Sequence, residues 1–132
     1  MPARYGIDTS ILVWLATGDP EEGFERSLRA LTTLVERDDA ELLASNQVIG
    51  EAYIALQHHY GVSKADARAA LASVLGSGLV APLNGPGVFA ALQANTGCGL
   101  LDRLIVDDYR RAELTTLTLD RKMAALPQAR RL

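Results

Sequence analysis

At 132 residues, with 48% hydrophobic and 22% charged side chains, the chain has the length of one compact domain and enough apolar material to bury a core. A net charge of −3 by itself argues against a general nucleic-acid binder, and a single cysteine, Cys98, excludes an intrachain disulfide. No apolar run reaches the roughly 18 residues of a membrane span, and the opening Met-Pro-Ala-Arg-Tyr-Gly-Ile-Asp lacks the long apolar segment of a secretory signal. A cytoplasmic, reducing home is expected, with Cys98 a small buried hydrophobe rather than a catalytic thiol.

In chain order, Arg4–Ile7 is expected to be a short strand ending at Asp8. Thr9 or Ser10 then caps a first helix, which Gly18-Asp19-Pro20 ends. Pro20 and the Glu21-Glu22 pair open a second helix to about Arg37, with Phe24, Leu28, Leu31, Leu34 and Val35 on its inner side. Glu41–Ala44 is the next strand. Ser45 or Asn46 caps a third helix from Gln47 to His59, stopped by Gly61, and Ser63 caps a fourth from Lys64 to Leu75. Leu79–Ala81 is a strand with Pro82 at its end, and Gly85-Pro86-Gly87 leads into a helix near Val88–Asn95. Asp102 opens a sixth helix, Leu114–Leu119 is a strand ending at Asp120, Arg121–Leu126 is a helical turn, and Ala129–Leu132 is a last strand.

Strands separated by helices need crossover connections, and these give a parallel sheet covered by helices. The expected fold is a three-layer α/β/α sandwich with a central, mostly parallel sheet, one domain over residues 1–132. Ligands in such folds gather beyond the carboxyl ends of the strands.

Asp8 and Asp120 each follow a strand, so both belong to that rim. Asp102 stands at the expected start of a helix, where free N–H groups and the macrodipole favour negative charge. Glu51 lies one turn into the third helix and borders the stripe of Val48, Ala52, Ala55 and Leu56. Each acid also has a plain role: a turn or cap for Asp8, an N-cap for Asp102, a paired edge carboxylate for Glu51, a cap for Asp120. Carboxylates brought together repel one another unless a cation joins them. An all-oxygen set selects a hard divalent ion, Mg²⁺ or Mn²⁺, over zinc. The chemistry that follows is phosphodiester hydrolysis by activated water.

Four segments carry a resemblance: Tyr5-Gly6-Ile7-Asp8-Thr9-Ser10; Ser45 followed six residues later by Glu51; Leu101-Asp102-Arg103-Leu104-Ile105; and Thr118-Leu119-Asp120-Arg121-Lys122-Met123-Ala124. In order, spacing and total length the chain resembles the PIN-domain ribonucleases, and within them the VapC-like toxins of bacterial toxin–antitoxin pairs. The resemblance implies Mg²⁺- or Mn²⁺-dependent RNA cleavage with Asp8, Glu51, Asp102 and Asp120 as the catalytic, metal-ligating acids. Thr9, Ser10 and Thr118 match the small polar positions that orient such carboxylates. It also implies an RNA substrate, a small antitoxin that enters the active-site groove, and a homodimer or toxin–antitoxin hetero-oligomer, with no membrane.

The charge distribution adds a direction. Residues 1–101 carry 6 basic and 11 acidic side chains, and residues 102–132 carry 7 and 5. The last third therefore supplies most of any field that attracts phosphate, and Arg121 and Lys122 are the expected RNA contacts. Gly97-Cys98-Gly99 suggests a flexible approach to Asp102, and Asp107 and Asp108 read as surface groups. His58 and His59 read as solvated helix-end residues, Trp14 and Tyr53 as core or interface. Two other functions fit the same residues: a non-catalytic module that holds RNA or a partner, and a small-molecule phosphatase.

Overall fold

A computed structural model describes residues 3–18 and 21–132. Within them five strands are separated by one or two helices each, seven helices in all, and every paired strand is parallel to its neighbour. This is the α/β fold that the alternation implies. The strands fall into two ladders, and the chain into two compact units, Met1–Leu83 and Asn84–Leu132.

The first unit holds β1 (Arg4–Gly6), α1 (Thr9–Thr17), α2 (Glu21–Asp38), β2 (Glu41–Ala44), α3 (Asn46–Tyr60), α4 (Lys64–Leu75) and β3 (Ala81–Pro82). Its sheet runs β1-β2-β3, with Tyr5 opposite Leu42 and Leu43 opposite Ala81. Ile7 extends the first pairing by donating its N–H to the Leu43 carbonyl at 2.9 Å. The third strand starts two residues later than its apolar run predicts. Gly78, at φ 93°, is still turning the chain there, so Leu79 and Val80 precede the ladder although Val80 is buried. Pro82 lacks an N–H and suits a strand paired on one side only.

The core of this unit joins Leu12 and Val13 of α1 to Leu42–Ala44 of β2, with Ile49, Ala52, Tyr53 and Leu56 of α3 and Leu71 and Leu75 of α4. The inner face of α3 is thus turned from the expected stripe: Val48 and Ala55 are only half-buried, while Ile49 and Tyr53 lie inside. Gly61 ends α3 in the left-handed conformation at φ 63°, which an L side chain adopts only at a cost. On α2 the face with Phe24, Leu28, Leu31, Leu34 and Val35 is half-buried along its length. The expectation that Pro20 opens this helix lies outside the described residues.

The second unit holds α5 (Gly87–Gln93), α6 (Leu100–Arg111), β4 (Thr116–Thr118), α7 (Arg121–Ala124) and β5 (Ala129–Arg131). Thr116 pairs with Ala129 and Thr118 with Arg131. Val88, Leu92, Cys98, Leu100, Leu104, Val106 and Met123 form its core. Asp107 is not the surface group its position suggests. Its side chain is 14% exposed, Arg110 pairs with it at 2.8 Å, and Asn84 Nδ2 donates to it at 2.9 Å and to Asp108 at 2.8 Å. Asn84 thereby ties the start of the unit to the middle of α6.

Candidate active site

Asp8 sits one residue beyond the Ile7 bond that closes the β1 ladder, and it is the N-cap of α1. Thr9 and Ser10, the expected caps, are instead the first two residues of the helix. A carboxylate with extended backbone accepts from the Ile11 N–H at 3.3 Å, and a competing cap one residue later would leave that donor unserved. The Ser10 hydroxyl donates to Asp8 Oδ1 at 2.7 Å. These two bonds, the hydroxyl first, hold the Asp8 carboxyl below its ordinary 3.8. The carboxylate is exposed, so it meets solvent and any approaching ligand.

Glu51 is also exposed, on α3 beside the buried Ala52 and Tyr53. Thr9 donates its hydroxyl to Glu51 Oε1 at 3.2 Å. The residue next to Asp8 in the chain therefore bonds Glu51, and the first unit holds these two acids around α1's first turn.

In the second unit Asp120 repeats the design of Asp8. It follows β4 by one residue, is the N-cap of α7, and accepts from the Met123 N–H at 2.8 Å. Its own N–H donates to Thr118 Oγ1 at 3.0 Å, which fixes the backbone that carries the carboxylate. Arg121 and Lys122 follow it on α7, both exposed.

Asp102 is not an N-cap. α6 begins two residues earlier, and Gly99 is the cap, with no side-chain bond. Asp102 is half-buried in the first turn, where the free N–H groups of the helix still stabilise a negative charge. Among the described residues its carboxylate makes no ion pair. Asp102 and Asp120 both act electrostatically on Cys98.

Cys98 is buried, and burial pushes its thiol up despite the nearby Arg103 charge, so it is held neutral and is no activated nucleophile. His58 and His59 are exposed at the end of α3, as expected. The segment before α6 differs from its expected freedom. Arg103 reaches back from α6 and donates Nε to the Cys98 carbonyl at 3.2 Å and a terminal nitrogen to the Thr96 carbonyl at 2.8 Å.

The acids thus come in pairs by unit, Asp8 with Glu51 and Asp102 with Asp120. Among the described residues no group of three or more His, Cys, Asp or Glu side chains is arranged to hold a metal ion. The donor chemistry nevertheless fits a hard divalent ion. All four acids offer carboxylate oxygens, and Asp8 and Asp120 stand just beyond strand ends.

Two capping acids thus stand just beyond the carboxyl ends of parallel strands. The family profile described as the PIN domain matches residues 5–128, and the chain belongs to that family. PIN domains are hydrolytic nucleases, commonly metal-dependent ribonucleases, and membership implies binding to RNA. Comparisons with curated proteins and with solved structures gave no match. No helix among the described residues is long and apolar enough to cross a membrane.

Proposed function

We propose that the chain is a metal-dependent endoribonuclease, the toxin of a bacterial toxin–antitoxin pair, acting in the cytoplasm as a single catalytic domain over residues 1–132. Asp8, Glu51, Asp102 and Asp120 are its acidic set. The observation that carries the reading is the repeated junction in a PIN-family chain: strand, one residue, capping aspartate, helix, at Asp8 and again at Asp120.

A bound Mg²⁺ or Mn²⁺ supplies activated water and stabilises the leaving oxygen. The chain's own residues prepare for this. Ser10 and the Ile11 N–H lower the Asp8 pKa and so favour its ionised form. Thr9 orients Glu51 through one of its oxygens and leaves the other available. Thr118 holds the Asp120 backbone, so that its carboxylate is aimed by two bonds, one at the main chain and one at the cap. Arg121 and Lys122 offer phosphate contacts beside Asp120. Water attack at phosphorus breaks the bond to the 3′ oxygen, leaving a 5′-phosphate and a 3′-hydroxyl. The partners on this reading are RNA, a small antitoxin, and a second copy of the chain or a hetero-oligomer with the antitoxin.

Incubating the purified protein with total cellular RNA, with Mg²⁺ and with chelator, tests the reading. New 5′-phosphate ends that depend on the ion are expected. Identical RNA profiles in both samples would rule the activity out. Expression of the chain alone should arrest growth, and a neighbouring reading frame should restore it.

One observation favours a second reading, a non-catalytic module that holds RNA: no three acids among the described residues form a metal group. Calorimetric titration with Mn²⁺ separates the two, since the nuclease binds the ion and the module does not.

A further inference from the structure

Arg103 has the charge and the neighbourhood of an RNA contact, but its donors are turned inward. It is half-buried, its Nε bonds the Cys98 carbonyl at 3.2 Å, and a terminal nitrogen bonds the Thr96 carbonyl at 2.8 Å. Both acceptors lie in the segment that leads into α6. Between them Gly97 takes φ 78°, and a Cβ there would stand 3.3 Å from the same guanidinium, so the chain passes tightly around the arginine head. The next residue but one, Gly99, caps α6 without a side-chain bond. No side chain caps the start of α6, and its free N–H groups are not served by Arg103, which has only donors; instead the planar fork reaching back from the helix's fourth residue ties the preceding segment to α6 through two carbonyls. The residue just before the fork is Asp102.

We propose that Arg103 is a positioning residue for Asp102: it clamps residues 96–98 onto α6 and so fixes the helix turn that carries the acid. The proposal rests on the reading of Asp102 as a member of the metal-binding set. It assigns Arg103 no contact with RNA. Without the clamp, two carbonyls return to solvent, the glycine-flanked segment opens, and the first turn of α6 frays with Asp102 on it. The fold as a whole is expected to keep its core, because Leu104 and Val106 are buried beyond the first turn of α6.

The chain contains its own reporter. Cys98 is its only cysteine, is 7% exposed, and sits inside the clamped segment. Arg103→Met keeps an unbranched apolar stem and removes every donor; Arg103→Lys keeps one. In full-length protein, Arg103→Met is expected to raise the rate of Cys98 modification by an aromatic disulfide reagent about tenfold, with the melting transition still cooperative. Mn²⁺ affinity, read by calorimetry without any RNA, should fall about tenfold, in the range of losses when a ligand's support is removed. Arg103→Lys should fall between wild type and Arg103→Met in both measurements, and it serves alone should the methionine variant not fold. An unchanged thiol rate overturns the clamp. A faster thiol with unchanged Mn²⁺ affinity overturns the positioning role, provided that Asp102→Asn weakens Mn²⁺ binding. Where neither Arg103→Met nor Asp102→Asn alters Mn²⁺ binding, the ligand reading of Asp102 fails and takes the positioning role with it, while the thiol rate still reports whether the segment is clamped.

Discussion

The junctions at Asp8 and at Asp120 share one plan and differ in what stands behind it. In each, a parallel strand ends, one residue intervenes, and an aspartate caps a helix. Behind Asp8 the helix is nine residues long, Leu12 and Val13 anchor it in the core, and the neighbouring Ser10 hydroxyl bonds the carboxylate. Behind Asp120 the helix is four residues long and Met123 is its one buried residue. There the fastening is the Thr118 hydroxyl on the backbone of the acid rather than on its carboxylate. A long anchored helix fixes an acid through packing. A single turn cannot, because its nucleation costs more than its few bonds return, and main-chain bonds take over.

The largest expected effect is on cleavage. Asp8→Asn should lower the rate on the order of a thousandfold, equivalent to about 4 kcal/mol of transition-state stabilisation. Asparagine caps a helix as well as aspartate does, so melting should hardly move. A cleavage rate that survives this substitution in purified protein would remove Asp8 from the reaction. Asp120→Asn carries the same expectation for cleavage, measured side by side.

The next effect separates packing from main-chain support. Leu12 is fully buried, and Leu12→Ala should destabilise the protein by about 2–5 kcal/mol, seen in denaturant unfolding. Met123→Ala should act locally, speeding amide exchange at 121–124 more than it lowers the midpoint of unfolding. Equal losses of global stability from both would mean that the short turn is anchored as firmly as the long helix.

The smallest effect is a titration. Because the folded pKa of Asp8 is lowered, its contribution to stability is present above the ordinary value of 3.8 and fades as pH falls through the lowered one. The group is exposed, so the contribution is slight. Ser10→Ala removes the leading cause and should move the Asp8 titration, followed by NMR, back upward.

Much of this was legible in the sequence where local rules act alone. The strand at Glu41–Ala44, the Ser63 cap and the helix from Lys64 to Leu75 follow from patterning and capping chemistry, and of the two caps open to the third helix Ser45 takes the role. The misplacements arise where two local rules compete. Asp8, Thr9 and Ser10 can all cap, and only the backbone conformation decides among them. Asp102 looks like a cap until Gly99, directly ahead of α6's first leucines, is seen to take the place. At Leu79–Ala81 apolar character marks a strand, while the left-handed Gly78 delays it. Asp107 and Arg103 were illegible for another reason: Asn84 stands 23 residues from Asp107, and the carbonyls that Arg103 bonds lie in the irregular segment before α6, so spacing along the helix encodes neither contact.

The parallel ladders also bear on how the chain reaches its native state. Arg4 and Glu41, bonded at 3.0 Å beside the first pairing, are 37 residues apart, whereas β4 and β5 are joined by the short stretch 119–128 that holds α7. Bringing distant segments together loses more chain entropy before any contact forms. Refolding should therefore register β4 against β5 early and zip β1 onto β2 late, leaving the exposed Tyr5 edge unprotected longest and most open to self-association.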